Sequence, residues 1–366
     1  MLARSLVRHN LGKGERNMIL GKSSPNAIEN PPRRVLIIRP FFLGDILLCL
    51  PVAQAIKRRW PDARITWLLR EEWTDLLRSH SVVDEVIPFC QRKMHSVRAP
   101  AEFFRVMREL RQRSFDLVLN LSWDRSSAVW AWFSGAARRI GIEEYGRPRL
   151  SALLHTETVV APERSEDRRH MADFYYQPLK LLGFEPRTEP PRISATEEEQ
   201  KGVDDRLNSA FRVSRSAFVL IHPGARLKYR EWPAERFAEL IRALSQKTSH
   251  AIVLVCGPGE ESWVSQLAEK ATTIHHPPST ILFWPAPSLG EFMALAKRAA
   301  LFIGNESGPM HLAAAVECRV MAIFRTDPTR WGPLGPRHRI VGGNNDLQNV
   351  TVESALDTIL TALESK

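Results

Sequence analysis

Apolar residues along this chain fall in short runs bounded by proline and glycine, and between those runs they recur at helical spacing. Val35-Leu36-Ile37-Ile38-Arg39, between Pro31-Pro32 and Pro40, reads as a buried strand. A glycine turn follows at Leu43-Gly44-Asp45, and Ile46 to Trp60 then reads as a helix ending before Pro61. Further strands are predicted at Ile65 to Leu69, Val83 to Ile87, Phe115 to Asn120 and Arg138 to Ile142. Helices are predicted at Glu72 to Ser79, Ala101 to Arg113, Ser126 to Ser134 and His170 to Leu182. Strands alternating with helices imply βαβ crossovers and a parallel sheet.

Between Gly183 and Glu197 the periodicity stops, and Pro186, Pro190 and Pro191 occur among charged residues. The pattern then restarts. Strands are expected at Ala217 to His222, Ala251 to Cys256, Leu301 to Ile303 and Val320 to Phe324, and helices at Ala234 to Gln246, Ser262 to Lys270, Leu289 to Arg298 and Val352 to Leu363. The expected organisation is a basic flexible tail over 1–32, a Rossmann-like doubly wound domain over 33–185 and a linker over 186–197. A second such domain follows over 198–345, with a closing helix over 346–366.

The 366 residues suffice for two full cores. No apolar run approaches the roughly 20 residues of a membrane span, and the first thirty residues hold no signal-peptide pattern, so a cytoplasmic protein is expected. Cys49, Cys90, Cys256 and Cys318 lie far apart without zinc-ligand spacing, which fits a reduced setting and predicts no metal. A net charge of +10 is spread over both halves, and no aromatic-studded basic motif stands out. Anionic substrates and an anionic lipid surface are therefore expected partners, and nucleic acid is not.

Candidate chemistry collects at the carboxyl ends of predicted strands, where open α/β sheets bind ligands. Asp45 is a candidate general base, and a plain N-cap is its structural alternative. His222-Pro223-Gly224-Ala225-Arg226-Leu227-Lys228-Tyr229-Arg230 combines a glycine with three cations suited to a pyrophosphate. Gly257-Pro258-Gly259-Glu260-Glu261 allows close backbone approach, with Glu260 or Glu261 as acceptors for ribose hydroxyls. Gly304-Asn305-Glu306-Ser307-Gly308-Pro309-Met310-His311 places an acid, a hydroxyl and a histidine before an Ala-rich helix, where free amides can hold a phosphate. Asp327-Pro328 marks a turn after the last of these strands. Trp123, Trp130 and Trp132 read either as pocket lining or as core and helix-face residues.

Taken together and in order, these loops resemble the ADP-heptose:lipopolysaccharide heptosyltransferases, glycosyltransferase family 9. The resemblance runs from about Val35 to Val341 and includes Arg39 through Pro51, Trp60-Pro61-Asp62-Ala63, Val83 through Phe89, Phe115-Asp116-Leu117-Val118, His222-Pro223-Gly224, Trp232-Pro233-Ala234-Glu235-Arg236-Phe237 and Ser307-Gly308-Pro309-Met310-His311. It implies the GT-B architecture, two Rossmann-like domains facing across a cleft, with the acceptor in the N-terminal domain and the nucleotide-sugar in the C-terminal one. It implies inverting transfer from a nucleotide-diphosphate sugar, ADP-heptose foremost, to a lipopolysaccharide-core or other envelope glycolipid, without cofactor or metal, at the inner face of the cytoplasmic membrane. Asp45 takes the place of the family's catalytic base, with Gly44, Arg39 and Trp123 on the acceptor side. Gly224, Ala225, Arg226, Lys228, Arg230, Gly257, Glu260, Glu306, Ser307, Gly308 and His311 fall on the donor side. Glu306 stands where the family has aspartate, Arg325 where it has glycine and Arg230 where it has lysine, and Asn120-Leu121-Ser122-Trp123 differs from its usual acidic strand end. These departures leave open a transferase for another sugar or a nucleotide-sugar-binding paralogue without turnover. A nicotinamide oxidoreductase is disfavoured because GxGxxG is missing.

Overall fold

The computed structural model describes residues 19–20, 30–78, 80–91, 99–143, 150–160, 169–185, 189–211, 217–272 and 281–364. Of the expected tail and linker, positions 1–18, 21–29 and 186–188 lie outside the described residues. The chain divides into two compact units, Met1–Glu189 and Pro190–Lys366.

The first unit contains strands β1 (Ile19–Leu20), β2 (Arg34–Ile38), β3 (Arg64–Arg70), β4 (Glu85–Phe89), β5 (Leu117–Asn120), β6 (Arg138–Glu143) and β7 (Glu157–Val160). They form one sheet in the order β1-β7-β6-β5-β2-β3-β4, parallel except for the β1–β7 pair. From β2 onward this is the doubly wound order, which reverses between β2 and β5. Val35, Leu36, Ile37 and Ile38 are all fully buried. Successive strand residues point to opposite faces, so both faces of the sheet are covered. On one face Leu36, Ile38 and Val118 meet Val106 and Leu110 of helix α2 (Ala99–Gln112) and Trp130 of α3 (Arg125–Phe133). Helix α1 (Leu43–Arg59) packs against α4 (Met171–Lys180).

The second unit contains β8 (Phe218–His222), β9 (Ala251–Val255), β10 (Ile281–Trp284), β11 (Leu301–Asn305), β12 (Val320–Phe324) and β13 (Arg339–Gly342). All pair in parallel, in the order β10-β9-β8-β11-β12-β13, which reverses between β8 and β11. The four inner strands are buried throughout, while β10 and β13 at the edges are half-exposed or exposed. Helices α5 (Glu197–Phe211), α6 (Ala234–Lys247), α7 (Glu261–Thr272), α8 (Leu289–Arg298), α9 (Gly308–Ala315) and α10 (Val352–Glu364) complete the unit.

The differences from the sequence reading have local causes. Strands β1, β7, β10 and β13 were not predicted: all four are only two to four residues long, and β7 and β13 mix charged or small residues with their apolar ones. Helix α5 was missed because only Val203 and Leu207 of its fifteen residues are buried. Gly44 and Asp45 belong to the first turn of α1 rather than to a turn before it. The chain enters that helix through Phe42, which has a left-handed φ of 63°.

Candidate active site

In the first unit the strand order reverses beside Asp45. Ile38 pairs with Asn120 at the last register position of β2 and β5, so Arg39 and Leu121–Trp123 emerge side by side. Arg39 Nη2 lies 2.8 Å from Asp45 Oδ1 and 3.0 Å from Tyr175 Oη, and its Nη1 donates to Ser122 Oγ at 3.1 Å. Tyr175, reaching in from α4, donates its hydroxyl to the same Asp45 Oδ1. Trp123 stacks on Tyr175 at 6.4 Å with rings 8° from parallel, and the Arg39 guanidinium sits about 5 Å from both rings (5.1 and 5.0 Å). Arg39, Asp45 and Tyr175 are all buried.

The electrostatics follow from that burial. Desolvation lowers the Arg39 pKa, but Tyr175, Asp45 and Cys49 outweigh it and hold the guanidinium above its ordinary value. Burial pushes the Tyr175 phenol well up, with Arg39 opposing, so it stays a neutral donor. Both donors converge on Oδ1, and Oδ2 has no hydrogen-bond partner among the described residues. That leaves an oriented carboxylate oxygen available as an acceptor of a proton. The strained, exposed Phe42 stands three positions before it, as strained backbone does at many functional sites.

In the second unit the corresponding reversal lies between β8 and β11. The basic loop after β8 is fastened at its far end. Trp232 is fully buried, its backbone N–H donates to Asn305 Oδ1 at 3.1 Å, and its indole N–H donates to the Val350 carbonyl at 3.0 Å. Asn305 Nδ2 donates to the Pro223 carbonyl at 2.6 Å, so this one buried amide holds both ends of the loop. Arg236 donates to the carbonyls of Leu347, Gln348 and Val350. The Trp232-to-Phe237 motif is thus a structural clasp.

Within that loop Arg230 Nη1 lies 3.2 Å from Glu306 Oε1. Glu306 is buried, and it also accepts from Thr326 Oγ1 at 2.8 Å and from the Thr326 N–H at 3.1 Å. One carboxylate therefore ties the loops after β8, β11 and β12 together. Arg325 stands 5.2 Å from the Tyr229 ring, and Arg230 stands 5.8 Å from the same ring. Lys228 instead pairs with Glu231 at 2.7 Å, and the Ala225 N–H donates to that glutamate at 3.4 Å. Arg226 is exposed. Ser307 occupies the N-cap of α9 yet makes no capping bond, and its buried Oγ has no hydrogen-bond partner among the described residues. Gly308 opens the helix, and His311 lies buried in its first turn.

Glu260 lies over the loop glycines. It accepts from the Gly257 N–H at 2.8 Å, and a Cβ on Gly224 would come within 2.2 Å of its carboxylate. In this structure the room above Gly224, read from sequence as space for a ligand, is filled by Glu260. His222 Nε2 is 3.7 Å from Glu260, and its Nδ1 is 3.2 Å from the Gly224 carbonyl. Burial depresses the His222 imidazole below its ordinary value, with Glu260 pulling the other way; burial also lowers His338.

The structure therefore brings Asp45, Arg39, Gly44 and Trp123 to one strand-end cluster, and Arg230, Glu306, Ser307, Gly308 and His311 to another. Gly224, Gly257 and Glu260 form a neighbouring group, while Lys228 turns to Glu231. Trp130 belongs to the core and Trp132 is exposed. Sequence reasoning missed Tyr175, Asn305, Ser122 and Thr326. Their partners lie 130, 82, 83 and 20 positions away, so no local spacing announces them.

Known proteins resemble this chain in sequence and in fold. The sequence profile of glycosyltransferase family 9 (heptosyltransferase) matches residues 103–359. Lipopolysaccharide heptosyltransferase 3 of Escherichia coli is 28% identical over 297 residues, covering 80% of this chain and 84% of that protein. A family 9 glycosyl transferase from Veillonella parvula superposes with a TM-score of 0.80 at 21% identity, covering 94% of this chain and 100% of the other. The E. coli heptosyltransferase WaaC with ADP superposes with a TM-score of 0.73 at 20% identity, covering 90% and 99%. These similar structures share the two-domain fold of the GT-B glycosyltransferases.

Two outcomes follow from this geometry. Asn305→Ala strands a buried N–H and a buried carbonyl and should destabilise the protein by about 2–4 kcal/mol in urea unfolding; an unchanged midpoint would refute the clasp. The second concerns pH. Below about pH 6.5 the unfolded chain takes up protons that the buried His222 and the half-buried His338 resist. Their contribution is intact above that pH and is lost as the pH falls through it. The melting temperature should therefore drop on acidification from about pH 7.5 to 5.5, and His338→Gln should flatten the slope.

Proposed function

The chain belongs to glycosyltransferase family 9, and from that premise we propose that it moves a heptose or related sugar from a nucleoside-diphosphate donor, ADP-heptose foremost, to a hydroxyl of a lipopolysaccharide-core or other envelope glycolipid. The observation that carries this reading is Asp45, held by Arg39 and Tyr175 through one oxygen and open at the other. Asp45 Oδ2 takes the proton of the acceptor hydroxyl as that oxygen attacks C1 of the sugar, and the configuration at C1 inverts. The C1–oxygen bond to the diphosphate breaks as the new bond forms. Arg39 and Tyr175 keep the carboxylate aimed, and the half-buried Trp123 completes the acceptor side.

On the donor side Arg230 takes the diphosphate, with Arg226 and Lys228 in the same loop and Gly224 and Ala225 at its start. Ser307 Oγ, buried with no hydrogen-bond partner among the described residues, and the amides opening α9 at Gly308 offer further donors to the phosphates, as does His311. Fixed donors of this kind stabilise the charge that builds on the leaving diphosphate, so departure needs no metal. Glu260 beside Gly257 accepts from ribose hydroxyls. Glu306 orients Arg230 and, through Thr326, the loop after β12. The reaction takes place in the cytoplasm, where the lipid-linked acceptor is presented at the membrane surface.

A transferase for a different sugar uses the same chemistry. The observation that favours it is Arg325, which brings a second guanidinium to Tyr229 where the family pattern has glycine.

Asp45→Asn is expected to keep thermal protection by ADP-sugars and to lose transfer by at least about 100-fold. Normal transfer by this variant would sink the base assignment. Tyr175→Phe should lower kcat with the donor KM unchanged. Arg230→Met should weaken donor binding about 10- to 100-fold in calorimetry, the loss of charged hydrogen bonds.

A further inference from the structure

Four aromatic rings run in an unbroken strip across α2 and α3. Phe104 meets Phe103 at 6.2 Å, Phe103 meets Phe133 at 5.7 Å, and Phe133 meets Trp132 at 4.8 Å. The inner pair is half-buried, and Phe103 packs on the core. The ends stand in solvent, Phe104 at 64% and Trp132 at 49% exposure. A strip anchored at its centre and exposed at both ends is a preformed apolar ridge rather than scattered surface hydrophobics.

Its surroundings are mainly basic, although Asp124 caps α3 beside Arg125, accepting from the Ser127 N–H and the Ser126 hydroxyl. On α2, Phe104, Arg108 and Arg111 follow at intervals of four and three and share an exposed stripe. On α3, Arg125 and Trp132 stand seven residues apart on another exposed stripe. The two acids of α2 are neutralised locally: Glu102 pairs with Arg105, and Glu109 with Arg105 and Arg113. Arg108, Arg111 and Arg125 have no acidic partner among the described residues. The ridge is thus rimmed by unpaired guanidinium groups in a chain of net charge +10.

We propose that this α2–α3 face is the surface by which the protein docks on an anionic phospholipid bilayer. Phe104 and Trp132 enter the headgroup boundary, and Arg108, Arg111 and Arg125 meet lipid phosphates. The proposal deepens the glycolipid reading above and rests on it for its purpose, since an enzyme bound here works where its acceptor is anchored. Aromatic rings favour the membrane–water boundary, and each basic residue near an anionic leaflet raises binding about fivefold. Among the described residues no helix is long and apolar enough to cross a membrane, so this is a face that lies on the bilayer. A second copy of the chain is the poorer occupant, because a two-fold contact through this patch would set arginine against arginine.

The test is cosedimentation of the full chain with vesicles of phosphatidylethanolamine containing about one third phosphatidylglycerol, and with vesicles of phosphatidylcholine alone. The wild type should pellet with the first and not the second, and added salt should release it. Phe104→Ser/Trp132→Ser and, separately, Arg108→Gln/Arg111→Gln/Arg125→Gln should each reduce vesicle binding at least tenfold. All five positions are exposed, and both variants should keep wild-type melting temperature, protection by ADP-sugars and transfer to a delipidated oligosaccharide acceptor. Equal vesicle binding by wild type and variants would overturn the proposal, as would no binding to the anionic vesicles. A wild-type dimer in sedimentation velocity that Phe104→Ser/Trp132→Ser converts to monomer would instead assign the face to a second copy. Loss of ADP-sugar protection in the wild type would count against the functional reading and leave the vesicle result standing.

Discussion

A carboxylate removed from water must be paired, and Asp45 is paired through one of its two oxygens. Arg39 supplies the charge, and Tyr175 supplies a neutral hydrogen bond at the same atom. The pairing depends on three elements arriving together: the end of β2, the first turn of α1 and the middle of α4. Trp123 and Tyr175 sandwich the arginine against competing geometries, and burial keeps the phenol from ionising. A buried ion pair of this kind adds little net stability but fixes orientation strongly, because a rotated carboxylate would leave Arg39 buried and unpaired. Orientation is what a proton acceptor needs.

The second unit meets the same demand by a different route. Its cations sit on a loop, and loops hold geometry only when they are anchored. Asn305 and Trp232 provide the anchors, and Glu306 links the loop to its neighbours through Arg230 and Thr326. Thr326 holds the Glu306 carboxylate through both its hydroxyl and its backbone N–H. The Glu306 carboxylate is thus engaged within the protein, while Arg325 stands beside Tyr229. In both units the candidate residues stand where the strand order reverses, a place where neighbouring connections leave in opposite directions.

Much of this could be read along the chain. The inner strands, most helices, the glycine-containing strand ends and the grouping of Arg226, Lys228 and Arg230 are local patterns, and local patterns survive in one dimension. Strands β7, β10 and β13 did not register, since runs of four residues are too short to show a period. The polar helix α5 escaped because only Val203 and Leu207 are buried. Gly224 was read as a place where a ligand comes close, and in this structure that space is filled by Glu260.

By itself the sequence determined the order of the elements, the residue types at each strand end and the charge of the surface, because period, turn chemistry and composition act between near neighbours. Only the tertiary structure decided which of those residues act together. Tyr175 reaches Asp45 across 130 positions, Asn305 reaches Pro223 across 82, and Phe103 meets Phe133 from a neighbouring helix. Such partnerships follow from how helices pack on a sheet whose strand order is itself a product of long-range pairing, and no spacing along the chain encodes them.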